Sequence, residues 1–375
     1  MKPEDLTSGP DGSTALHVVS DQGFCEFVLM FIALDNTMIN KKNSSGKTAL
    51  HLASSKGYTK VANMLITYNA DTAPLDNDNL TPLREACKNG HVDTVELLLN
   101  RTHKQKRTWV SKNKVHILHT VCENGHTNMI KKILKCDVDV NIKTEEGCTP
   151  LYLACNAGHY DTVLMLLEER KAKINLADKK GKTPLFIVCE KNRETIVHLL
   201  LAKGAYVDQT DQHGSTALHI SCSLGFENIS ENLLQKGASI NKRDSNGNTP
   251  LYEACRGGHQ NVIYILINHK VDVNKANNSG STPLMISCAK GNTNVVRLLL
   301  EKDAIFNQCD AESLTPLHMA CQGGFTEVVK VLLHWNAMID ICDKDGCTPL
   351  DIARKQSSPE IEHLLKNKGS LTLLL

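Results

Sequence analysis

Apolar residues in this chain come in pairs of short clusters that return at a nearly constant distance. The first cluster has the form of Leu251–Tyr–Glu–Ala–Cys255, and the second the form of Val262–Ile–Tyr–Ile–Leu–Ile267. Apolar positions three and four residues apart predict short amphipathic helices, each with one buried stripe. Between the clusters lies a Gly, and after the second comes a brief extended piece (DVDVN, SIN, VDVN, MID) and a polar turn such as DSNG or DKDG. The pattern therefore predicts a helix, a tight stop, a second helix and a projecting turn, repeated many times.

A threonine opens each unit: Thr14, Thr48, Thr81, Thr149, Thr183, Thr216, Thr249, Thr282, Thr315 and Thr348. These lie 33 or 34 residues apart except across one double-length gap, where His116 stands in for the threonine of an eleventh unit. Thr caps a helix whose first position accepts Pro, because the missing N–H there would be unpaired in any case. The first helix stops at a Gly, such as Gly225 or Gly258, which closes a helix in the left-handed conformation; Asn192 and Ser357 replace it in two units. Asp, Asn and Gly are what the turns require.

The phrases TPLHMA, GGH, LLL and DVN, in that order and spacing, resemble the ankyrin repeat across residues 12 to about 369. The resemblance implies an all-α repeat solenoid: an array of stacked helix-turn-helix units with projecting β-hairpin-like fingers. It divides the chain into a tail (1–11), one domain of about eleven units (12–369) and a second tail (370–375). A single helix pair cannot bury its own apolar face, so the units must stack. At about 10 Å per layer, eleven units are expected to form an arc on the order of 100 Å long. The family also implies a non-enzymatic scaffold or adaptor that binds a protein or peptide along the concave face of fingers and first helices.

Composition supports such a core. Apolar residues make up 41% and aromatics only 4%, which points to Leu, Val, Ile, Ala and Cys as the packing residues. The longest apolar run, Phe27 to Leu34, is far short of the roughly 20 residues a membrane span needs, and the polar MKPEDLTSGP is not a signal peptide. A soluble, cytoplasmic protein without membrane insertion is expected, with KQKR as a weak signal for nuclear entry. Of fourteen cysteines, eight (Cys87, Cys122, Cys155, Cys189, Cys222, Cys255, Cys288, Cys321) recur with the repeat and read as one core slot. Cys148 and Cys347 precede the TP dipeptide and are expected on exposed finger tips. Cys309 and Cys342 lie one finger apart.

Nine histidines fall in two repeat slots. Because Tyr152, Phe186, Tyr252 and Met285 fill the TPLH slot in other units, a structural hydrogen bond explains these imidazoles better than a metal. No HExxH, GxSxG or GxxxxGK[ST] sequence occurs, so no catalytic residue, cofactor, metal or small-molecule substrate is expected.

Function should then lie in the positions the repeat leaves free. Carried over from the family, these include the turn residues Glu145, Glu146, Lys179, Lys180, Gln212 and His213, and the first-helix ends Lys88, Asn89, Glu123, Asn124 and Arg256. The stretch from Asn100 to Thr120 adds Arg101, Lys104, Lys106, Arg107, Trp109, Lys112 and Lys114, expected on a basic finger. Between Leu97 and Lys135 there are nine Lys/Arg against the single acid Glu123, in a chain of net charge +1. Such a finger suits a partner with an acidic or phosphorylated segment. Nucleic acid ranks third, since one basic loop is a small footprint. A second reading is the regulatory arm of a larger enzyme, phosphatase complex or channel. Asn141, Asn241 and Asn274 lie in contexts similar to those hydroxylated in the family. Finally, the first unit places Leu29 and Ala33 where other units often carry polar residues, so a partner or further repeats are expected to cover it. The closing LTLLL is a weak candidate for an apolar tag.

Overall fold

The computed structural model describes residues 9, 11–102, 116–135, 138–169 and 171–372. Among them are twenty-two α-helices and no strand, and they group into two compact units, residues 1–179 and 180–375. The first unit holds α1 (Ala15–Gln22) and α2 (Cys25–Leu34), α3 (Ala49–Lys56) and α4 (Thr59–Thr67), α5 (Pro82–Lys88) and α6 (Val92–Thr102), α7 (Ile117–Glu123) and α8 (Thr127–Leu134), α9 (Pro150–Ala157) and α10 (Tyr160–Glu168). The second holds α11 (Pro184–Glu190) and α12 (Glu194–Ala202), α13 (Ala217–Leu224) and α14 (Glu227–Gln235), α15 (Pro250–Gly257) and α16 (Gln260–Asn268), α17 (Pro283–Ala289) and α18 (Thr293–Leu300), α19 (Pro316–Gln322) and α20 (Thr326–His334), α21 (Pro349–Lys355) and α22 (Pro359–Thr372). In each unit odd-numbered helices stack on odd and even on even, with each pair closed by its own antiparallel contact.

Short helices survive here because their ends are satisfied. The Thr249 hydroxyl accepts the Tyr252 N–H at 3.2 Å, replacing one of the donors that a helix start leaves open. His116 does the same job in the unit that lacks the threonine: its Nδ1 accepts the Leu118 N–H at 3.0 Å. At the other end of the first helix, Gly225 sits at φ +75°, and a Cβ there would lie 2.5 Å from Nδ1 of His259. The imidazole of the following repeat thus occupies the space that only glycine vacates, and its Nε2 bonds the Ser223 carbonyl at 2.9 Å. Asn192 and Ser357 take the same left-handed conformation, at φ 54° and 53°.

The TPLH histidines link each repeat to the next. In the first unit the Thr14 N–H donates to Nδ1 of His17 at 3.1 Å, and Nε2 lies 3.0 Å from the Lys47 carbonyl. The same arrangement joins His51 to Leu80 at 3.1 Å, and His219 to Asn248 and His318 to Cys347 at 3.1 and 3.3 Å in the second unit. A backbone N–H can only donate, so Nδ1 must be bare and the proton must sit on Nε2, aimed at the neighbouring carbonyl. Burial lowers the pKa of all four rings, in agreement with that neutral form.

The core slot is cysteine, as expected. All eight repeating cysteines are buried and present as free thiols. Burial pushes Cys87 and Cys255 up to about 12, so they behave as small apolar groups. The expectation for Cys148 and Cys347 needs correction. Both are half-buried, because the residue before the threonine tucks its backbone under the finger: the Cys148 N–H donates to Thr144 Oγ1 at 3.1 Å, and the Cys347 N–H to Asp343 Oδ1 at 2.8 Å. Among the described residues the exposed thiols are Cys309 and Cys342.

Candidate functional site

Most fingers are folded by one acidic or amide side chain, with the Thr144 hydroxyl standing in for it before Cys148. Asp211 Oδ1 accepts the N–H groups of His213 and Ser215, both at 2.9 Å, and Asp244 does the same for Asn246 and Asn248 at 2.9 and 2.8 Å. Such Asx turns fold the chain back sharply. Successive fingers are then joined tip to tip. The Gln212 N–H donates to the Lys180 carbonyl at 2.8 Å, Ser245 N–H to His213 at 2.9 Å, Asn278 N–H to Asn246 at 3.0 Å, and Ala311 N–H to Ser279 at 2.9 Å. These four bonds use backbone atoms alone, with the Asn278 side chain adding a bond from its Nδ2 to the Ser245 carbonyl at 3.0 Å, and the side chains of Gln212, His213, Ser245 and Asn246 stay exposed on a fixed spacing.

Beneath three of these fingers, in the second unit, a groove of about 510 Å³ runs between the finger tips and the first helices α11, α13 and α15. Its rim carries Lys180, Gln212, His213, Ser245 and Asn246, and Arg256 closes one end. Lys182 lies within it, 2.7 Å from Glu190 and 5.3 Å from the centre of the Phe186 ring. The lysine is therefore held over an aromatic face as well as against a carboxylate. At the far end buried Glu253 accepts from Asn248 Nδ2 at 3.0 Å and is paired with half-exposed Arg256. Burial raises the Glu253 pKa, with Arg256 pulling the other way. Arg256 thus sits at the surface of the groove while its carboxylate partner Glu253 lies deeper, whereas Lys182 and Glu190 are buried to the same degree.

The structure distributes the sequence candidates unevenly. Lys180, Gln212, His213 and Arg256 come together around this groove. Glu145, Glu146 and Lys179 are exposed finger residues of the first unit, where the Lys179 N–H bonds the Glu146 carbonyl at 2.9 Å. Lys88, Asn89, Glu123 and Asn124 are exposed at first-helix ends, and the carbonyls of Lys88 and Glu123 receive Nε2 of His126 and His159 at 3.1 and 2.9 Å. Arg101 belongs to the last turn of α6 and so lies on a second helix, not a finger. Lys104, Lys106, Arg107, Trp109, Lys112 and Lys114 fall outside the described residues. Glu190, another first-helix end the repeat leaves free, also lines the groove, while sequence reasoning missed Lys182, Phe186 and Glu253. Lys182 could have been found from its place just before Thr183, where Lys47 of the first unit makes a 2.7 Å pair with buried Glu85.

Comparison with known proteins agrees with this architecture. A family model described as ankyrin repeats, in three copies, matches residues 16–108, 83–178, 170–244, 242–310 and 302–372. An ankyrin repeat and KH domain-containing protein of Caenorhabditis elegans, mask-1, is 31% identical over 137 residues, or 36% of this chain and 5% of the relative. An ankyrin repeat-containing protein of Schizosaccharomyces pombe is 43% identical over 68 residues, covering 18% of this chain and 32% of the relative. The human transient receptor potential cation channel subfamily A member 1 is 36% identical over 115 residues, 29% of this chain and 10% of the channel. The chain therefore spans only a small part of the length of each.

Proposed function

Because the chain belongs to the ankyrin repeat family, we propose that it is a protein-binding scaffold that holds an extended segment of a partner against its fingers and first helices. The observation that carries this reading is the backbone ladder from Lys180 to Ala311, which presents variable side chains at constant spacing above a groove with a fixed floor. A preorganised surface loses little conformational freedom on binding. The partner segment that suits Lys180 and Arg256 on the rim, with Lys182 inside the groove, carries acidic or phosphorylated residues. No chemistry of bond-making is included in the proposal, and a cytoplasmic setting is. Capture of partners from a cell extract by the wild-type chain and by a Lys180→Glu, Lys182→Glu, Arg256→Glu variant tests it; an unchanged set of captured proteins, with the variant folded, sinks it.

A second reading is favoured by the relatives. One is a channel and is about ten times longer than the matched segment. On that reading the array serves as the regulatory arm of a larger protein, and the same groove receives a segment of that protein.

Among the described residues no helix is long and apolar enough to cross a membrane.

A further inference from the structure

The finger tips of the second unit keep one strict register. Lys180, His213, Asn246, Ser279, Glu312 and Asp345 occupy the same slot, each 33 residues after the one before, and all are exposed. In every case the carbonyl of a tip residue accepts the N–H of the residue just before the next tip, at 2.8–3.1 Å. The path between tips is thus one hydrogen-bonded crossing, about 5.5 Å between Cα atoms, and one residue step of about 3.8 Å. Neighbouring tips therefore lie at most about 9.3 Å apart, while packed helix layers hold them at least about 8 Å apart. Few backbone forms return a side chain to one face within that range. A β-strand does so every two residues, at about 6.7 Å, which is too short. An α-helix does so every seven residues, at about 10.5 Å, which is too long. Polyproline II has three residues per turn and a rise of about 3.1 Å, so its face returns within the range, at about 9.3 Å.

We propose, resting on the scaffold reading above, that the second unit binds a partner segment in the polyproline II form and reads every third residue of it. Charge along the tips gives that segment its pattern. Lys180, with Lys182 inside the groove, takes an acidic residue. Glu312 and Asp345 lie four and five tips farther on and take basic residues, about twelve and fifteen positions along the segment. Lys344 pairs with Glu312 at 3.0 Å, and Asp343 and Asp345 leave that end acidic. There a second groove, of about 320 Å³, is bordered by Glu312, Asp343, Lys344 and Asp345. The tips between carry polar side chains. Polyproline II makes no hydrogen bonds of its own, so its carbonyls need outside donors. The exposed amides of Gln212 and Asn246 offer them on successive fingers. A segment already held in this form also loses little freedom on docking.

Fluorescence anisotropy of labelled synthetic peptides against the full chain tests the proposal. The probe is a proline-rich peptide with a reading residue at every third position: an aspartate first, serines in the middle and two lysines last. It should saturate below about 1 mM. The same reading residues set at every fourth position turn away from the tips and should bind at least about fivefold more weakly. Glycine in place of the prolines should weaken binding as well. Lys180→Glu should weaken the original peptide about fivefold, and a peptide with lysine in place of its aspartate should recover that loss. Circular dichroism verifies that the variant is folded. Equal affinity for the two spacings overturns the proposal, as does a charge swap that recovers nothing or an absence of binding at 1 mM. Extract capture that still responds to the groove substitutions would then leave the scaffold reading standing without this register.

Discussion

The backbone N–H of His116 donates to Nδ1 of His119 at 2.9 Å, so one histidine caps a helix start while the other closes the cap around it. The Nε2 of His119 continues to the Ile142 carbonyl at 2.9 Å, which ties this repeat to its successor. Both rings accept a backbone N–H at Nδ1, and neither can take a second proton without losing that bond.

Acid should therefore loosen the repeat at His116. Burial first, then neighbouring positive charge, brings both pKa values down to about 4 from 6.5. Between those values the unfolded chain binds more protons than the folded one, so stability is complete above about pH 6.5, falls as pH drops toward 4, and loses nothing further from these groups below that. The total is on the order of 3 kcal/mol for each imidazole. His116→Thr restores the usual cap and removes one of the two titrating rings. The variant should show a smaller loss in urea midpoint between pH 7 and 4.5 than the wild type, and equal losses would refute the assignment.

Two glycines of the second unit separate backbone strain from steric collision. Gly237 has φ +83° with nothing within 4 Å of an added Cβ, whereas Gly225 has φ +75° and faces the His259 ring. Gly237→Ala should cost about 1 kcal/mol, the ordinary penalty of the left-handed region. Gly225→Ala should cost at least about 2 kcal/mol more, because the ring that links two repeats must move. Denaturant unfolding of the two variants measures the difference, and similar values would show that the ring yields freely.

Thiol reactivity should divide the cysteines by position. Among the described residues Cys309 and Cys342 are exposed, Cys25, Cys148 and Cys347 are half-buried, and the eight slot cysteines are buried. Brief alkylation of the native protein followed by peptide mass spectrometry should label the exposed pair first and the slot cysteines only after denaturation. Early labelling of Cys155 or Cys255 would contradict the packing described.

Lys182→Glu should affect binding much more than folding. The Lys182–Glu190 pair is partly solvated, with about a quarter of each side chain exposed, and such pairs contribute about 0–1 kcal/mol. Its loss should lower the melting temperature by only a few degrees while altering what the groove captures. A collapse of the melting transition would assign the lysine to the fold.

Much of this architecture was readable before any coordinate. The period of 33 or 34 residues, the Thr caps and the glycine stops depend on neighbours a few positions apart, and even the substitution of His116 for a threonine followed from spacing alone. The groove was not readable to the same degree. Lys182, Phe186 and Glu190 become one feature only when a finger folds back over a first helix, and Glu253 looks like any helical glutamate until its burial is known. The exposure of Cys148 and Cys347 was misjudged for a related reason: a finger's exposure ends one residue earlier than its sequence suggests, where the backbone turns under to meet the next cap. The basic stretch from Lys104 to Lys114, the most distinctive sequence in the chain, lies outside the described residues.

The main-chain bonds that join one finger tip to the next do not depend on which side chains Gln212, His213, Ser245 and Asn246 carry, so what such a residue says to a partner is largely uncoupled from what holds the tip in place. Residues such as Gln212, His213, Ser245 and Asn246 can be exchanged one at a time with little effect on folding. A lineage carrying this frame is free to change its recognition by small steps, each intermediate remaining a folded protein.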